Sequence, residues 1–114
     1  MNIRIVFKGM DHSFPFEEHT QQHLTQKLSK FMQKESPLLI DVVVESTHGN
    51  QSYSIEIRLN SQHYHLMAHQ RGSDLYKTLD TAVSILADEV KRHKEKMLDA
   101  RNHAGDPLRD EPKE

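Results

Sequence analysis

Hydrophobic positions along this chain recur with two different periods, and the switches between them mark the elements. From residue 1 to 8 the period is two, with Ile3, Ile5 and Phe7 on one side and Asn2, Arg4, Val6 and Lys8 on the other. That alternation predicts a strand with one buried face. Gly9 and Pro15 break it, and a helical period starts near Ser13 or Phe14, with Glu17 and Glu18 in the first turn, where the dipole favours negative charge. Leu24, Leu28, Phe31 and Met32 carry the period on, so a helix is expected over about 15–34, ended by Ser36-Pro37.

Residues 38–45 are β-branched and apolar apart from Asp41, which predicts a strand buried on most of both faces. Thr47-His48-Gly49-Asn50 reads as a turn. Over 51–60 the alternation returns, with Tyr53, Ile55, Ile57 and Leu59 inward. After a turn at Asn60-Ser61-Gln62, residues 63–70 alternate again, placing Tyr64, Leu66 and Ala68 on one face and His63, His65, Met67 and His69 on the other. Arg71-Gly72 then reads as a loop into Ser73-Asp74, a good N-cap. Leu75, Leu79, Ala82, Val83, Leu86, Val90 and Met97 predict a long helix over about 73–99. From Ala100 the periodicity is lost and Gly and Pro appear, as in a mobile tail.

The order β-α-β-β-β-α predicts an α+β domain over residues 1–99, with a flexible acidic tail over 100–114. Strand, crossover helix and strand make a parallel pair, and two short turns add an antiparallel meander. The expected object is a four-stranded mixed sheet with both helices on one face.

Composition narrows the classes. One domain accounts for 114 residues, and there is no cysteine, which excludes disulfides and thiolate chemistry and fits a reducing cytoplasm. No apolar run approaches the roughly 20 residues of a membrane span, and the charged start MNIRIVFKGMD is unlike a signal peptide. A net charge of −2 gives no hint of nucleic acid, so that question turns on where the charges lie.

They are segregated. VKRHKEKM, residues 90–97, holds Lys91, Arg92, Lys94 and Lys96 against Glu95 alone, and Lys27, Lys30 and Lys34 form a stripe on the first helix. Two readings stand open at this point. Lysines near a helix C-terminus complement the macrodipole, contributing about 0.3–1 kcal/mol each. Alternatively, two adjacent helices offer phosphates a bipartite basic face.

The element order and GSDLYKTLDTAVSILADEVKRHKEK resemble the hibernation-promoting factor and ribosome-associated inhibitor family. Asp74-Leu75-Tyr76 resembles that family's turn into the second helix, Lys91–Lys96 its basic run, and Lys27-Leu28-Ser29-Lys30 its first-helix pattern; the likeness spans about residues 1–97. The resemblance implies a fold related to the double-stranded RNA-binding domain. It also implies a cytoplasmic, non-enzymatic protein that inhibits translation in dormant, stressed or stationary-phase cells. Such a protein occupies the messenger and transfer RNA channel of the small ribosomal subunit, gripping 16S rRNA phosphates, and is monomeric off the ribosome. The residues expected to bind are Lys27, Lys30, Lys34, Arg71, Lys91, Arg92, Lys94 and Lys96, with Arg71 included for its place beside the basic face. Ile85-Leu86-Ala87-Asp88 departs from the pattern, which has cations in mid-helix. That departure motivates the alternative: a protein–protein module that kept the fold and lost ribosome binding. A binder of naked double-stranded RNA is a third option.

Nine histidines stand out in a chain this short. His19 and His23 are one helical turn apart, and His63, His65 and His69 share a strand face. Without cysteine or evident neighbouring carboxylates a metal site is not expected, and a solvated face explains them. Histidines beside phosphates would also gain charge as pH falls, tightening binding. Tyr53, Tyr64 and Tyr76 are expected to pack in the core rather than stack on bases. No nucleophile elbow, phosphate loop or paired-carboxylate motif appears, so neither catalysis nor a cofactor is expected.

Overall fold

A computed structural model describes residues 1–32, 37–47 and 51–104, without the side chains of 31, 32 and 99–104. Lys34, the turn at 48–50 and the end of the tail lie outside the described residues. The elements run β1 (Asn2–Lys8), α1 (Phe14–Met32), β2 (Leu39–Thr47), β3 (Ser52–Asn60), β4 (His65–Gly72) and α2 (Leu75–Ala104). The strands lie side by side in chain order, β1 parallel to β2 and the other pairs antiparallel. The expected four-stranded mixed sheet is therefore the observed one.

Local chemistry sets the helix starts. Ser13 caps α1, its Oγ accepting from the Phe16 amide at 3.3 Å, and Asp74 caps α2, its Oδ1 accepting from the Lys77 amide at 3.0 Å. Gly9 makes the turn out of β1 at φ +69, in the left-handed region, and a Cβ there would sit 2.7 Å from the Ser46 carbonyl oxygen. Thr78 lies so close over Gly72 that a Cβ would meet its Oγ1.

Both helices cover one face of the sheet. Phe16, Leu24 and Leu28 from α1 and Leu79, Val83, Leu86 and Val90 from α2 are fully buried against Ile40, Val42, Val44, Ile55, Ile57 and Leu59. Each such side chain contributes roughly 1.5–3 kcal/mol. The other face is bare, which corrects the reading of the second strand. Only alternate residues of β2 are buried, and Leu39 on the open side is 46% exposed. A sheet with one helical layer has one wet face however β-branched its middle strand is.

Three boundaries also differ from expectation. β4 starts at His65, because Ser61 closes the turn: its amide donates to the Tyr64 carbonyl at 2.8 Å and its Oγ accepts from the Tyr64 amide at 3.2 Å. Arg71 and Gly72 are not a loop but the end of β4, held in register with Ser54 and Tyr53. α2 continues five residues past Asp99, to Ala104.

Candidate nucleic-acid interface

The chain path makes the two helices run the same way. α1 leaves β1 and returns antiparallel to it; β4 has the direction of β1, and α2 returns antiparallel to β4. Contacts fix the alignment at the shared N-terminal end. Phe16 and His19 of α1 pack on the Tyr76 ring at 5.2 and 5.1 Å, and His19 and His23 approach Asp80 of α2. Both C-terminal halves therefore point toward the same end of the sheet.

Helical spacing carries these contacts down the groove between them. On α1 the stripe that touches α2 at His19 and His23 continues at i+4 and i+3 through Lys27 and Lys30. On α2 the stripe that touches α1 at Tyr76 and Asp80 continues through Ala87 to Lys91 and Lys94. At 1.5 Å per residue, Lys27 and Lys30 lie about 6 and 10 Å below the level of His23, and Lys91 and Lys94 about 16 and 21 Å below Asp80. Lys27 and Lys30 thus stand on the α2-facing side of α1, and Lys91 and Lys94 continue the α1-facing side of α2 past the level of Met32, where α1 ends. Lys27, Lys30 and Lys91 are exposed and Lys94 partly buried, and among the described residues none of the four pairs with a carboxylate.

The remaining expected contacts fall elsewhere. Arg92 and Lys96 lie on the opposite flank of α2, in line with Ile85 and Glu89, and Arg92 is tied to Glu89 at 2.8 Å. Arg71 belongs to the bare sheet face, alternating with His65, Met67 and His69, so it does not stand beside the helical groove. His93, inside the basic run, is an anchor: its Nε2 bonds the His63 carbonyl oxygen at 2.9 Å and its ring packs edge-on against Tyr64 at 4.7 Å.

The length of α2 bears on the dipole explanation. Dipole stabilisation fades within the last turn of a helix. Lys91 and Lys94 lie ten or more residues before Ala104, so the macrodipole does not account for them, though it does for Lys30 in the last turn of α1.

The other candidates resolve simply. Tyr64 is buried and Tyr53 partly so, as expected, whereas Tyr76 is 39% exposed at the head of the groove rather than in the core. His65 and His69 stand on the bare sheet face, bonded to Asn60 and Ser54 at 3.1 and 2.8 Å, while His63 lies before the strand. No group of three histidines or carboxylates among the described residues is placed to hold a metal. No helix there is long and apolar enough to cross a membrane. His19, His23 and Asp80 as one cluster were not read from the sequence, because their meeting depends on which helix faces touch.

Comparison with known proteins decides the family. The profile for "Sigma 54 modulation protein / S30EA ribosomal protein" matches residues 3–98. The chain belongs to this family. It is a family of ribosome-associated factors, not of enzymes. Among the solved structures that share the fold are ones from Thermus thermophilus and Coxiella burnetii. The chain superposes on the Protein Y N-terminal domain of Thermus thermophilus with a TM-score of 0.71 at 22% identity, covering 81% of this chain and 98% of that one. It matches a ribosomal subunit interface protein from Coxiella burnetii with a TM-score of 0.72 at 19% identity, covering 83% and 99%. No curated relative matches the chain by sequence.

Proposed function

We propose that this protein binds the small ribosomal subunit and holds it idle, with the groove between α1 and α2 as its grip on 16S rRNA. The observation that carries the reading is the set of four lysines on the adjoining sides of two helices that run the same way, free of acidic partners among the described residues. Ammonium groups without internal partners exchange counterions, not salt bridges, for phosphates, which is the main source of affinity for RNA backbones. Contacts to phosphates position the protein without reading sequence. Steric exclusion of messenger and transfer RNA from the channel between head and body would follow, with no reaction catalysed, in a cytoplasmic protein. Lys27, Lys30, Lys91 and Lys94 are the principal contacts; Arg92 and Lys96 reach only a surface passing the far side of α2.

Sedimentation with small subunits through a sucrose gradient tests this. The protein is expected to comigrate at low salt and dissociate as salt rises. The double reversal Lys91→Glu with Lys94→Glu is expected to abolish comigration while leaving the melting temperature near that of the parent, since neither side chain is in the core. Failure of the parent to comigrate at low salt would favour the protein–protein module instead, and survival of binding in the double variant would displace the site.

A further inference from the structure

Above the four lysines the same groove holds a cluster of different chemistry. His19 and His23 stack with centroids 5.7 Å apart and interplanar angle 20°, and both turn Nε2 toward one oxygen of Asp80, at 3.8 and 3.3 Å. The Tyr76 ring meets His19 edge-on at the top, and Lys27 lies one turn below His23. The sheet beneath adds no charge, because the helix-facing residues of all four strands are uncharged. The groups that face the imidazoles are therefore Asp80 and the Tyr76 phenol on α2 and Lys27 on α1.

This arrangement gives the upper groove a charge that changes sign. With both imidazoles neutral the cluster carries −1 from Asp80, and a phosphate is repelled. With both protonated it carries +1, and the cationic stretch of the groove extends upward from Lys30 and Lys27 to His19. Burial holds the His23 pKa below its ordinary value, an effect Asp80 partly offsets and His19 and Lys27 reinforce, so the neutral form is favoured at neutral pH in the free protein. We propose that the RNA-binding surface extends up the groove onto His19 and His23, and that this extension engages only when the two imidazoles are protonated. The proposal rests on the ribosome-binding reading above and adds its regulation: RNA binding takes up protons, and acidification tightens it.

The test measures the affinity of the full chain for purified small subunits at pH 7.5 and pH 6.0, at one salt and magnesium concentration. A phosphate within reach of an imidazole raises its pKa by about one unit, so the two histidines together are expected to give roughly tenfold tighter binding at pH 6.0. In the variant H19Q/H23Q the two affinities should agree within about twofold. The variant D80N should bind more tightly than the parent at pH 7.5, because the repelling carboxylate is gone. Equal parental affinities at the two pH values would overturn the proposal alone, as would a tenfold gain that persists in H19Q/H23Q. Absence of binding at both pH values would overturn the underlying reading instead.

Discussion

Neutralising Lys91 and Lys94 should lower the salt sensitivity of ribosome binding by an amount the groove geometry sets. Four lysines engaging four phosphates give a slope of log affinity against log salt of about −3.6 on duplex RNA or about −2.8 on single strands. Between 50 and 200 mM salt the parent then loses about 50- to 150-fold in affinity. The variant K91Q/K94Q keeps Lys27 and Lys30, so its slope falls to about −1.4 to −1.8 and its loss over the same range to about 7- to 12-fold. The matched variant R92Q/K96Q removes the same charge from the opposite flank of α2, where Arg92 already leans on Glu89. Its slope should stay near the parental value. Filter binding or fluorescence anisotropy on purified small subunits, titrated at five or so salt concentrations, reads both slopes. Equal changes in the two variants would show that binding follows total charge and not the groove, and the assignment of the interface would fail.

Four further outcomes follow from the fold. Gly9→Ala should destabilise the domain by about 2–3 kcal/mol in urea denaturation, combining the left-handed backbone with a clash against the Ser46 carbonyl. Leu86→Ala, fully buried on the sheet-facing side of α2, should cost about 2–5 kcal/mol by the same assay. His93→Ala should cost about 1–2 kcal/mol and speed hydrogen exchange in the turn between β3 and β4, since it removes both the bond to His63 and the ring contact with Tyr64. Because the folded-state pKa of His23 lies below its unfolded value of 6.5, the unfolded chain binds the proton more readily. His23 therefore costs stability as pH falls below about 6.5. A melting temperature that declines between pH 7.5 and 5.5, and declines less in His23→Gln, would bear this out.

The period-two runs of β1 and β3 were legible because each has one apolar set and one polar set. β2 was not, since Leu39 and Val43 are apolar on its wet side, where Val43 sits beside Val6 of β1 across the register. Composition alone does not separate a strand buried twice from one whose exposed side is partly apolar. Arg71 was assigned to a loop because Gly72 follows it, yet the ladder continues through both as Gly72 leaves room for Thr78. The last turn of α2 has no apolar stripe to announce it. The lysine clusters themselves were plain in the sequence, and the split of Lys91 and Lys94 from Arg92 and Lys96 follows from 100° per residue alone. The groove required knowing that both helices point the same way, which the strand order supplied, and which flanks meet, which only the contacts at Tyr76 and Asp80 settle.

The uncovered side of the sheet, with its exposed Met67, lies a full layer away from the helical groove, about 10 Å through the packed core. With no native thiol in the chain, Met67→Cys would accept a single fluorophore there. The dye would ride on the back of the molecule while the helices face a ligand, and its signal would report docking without standing in the way.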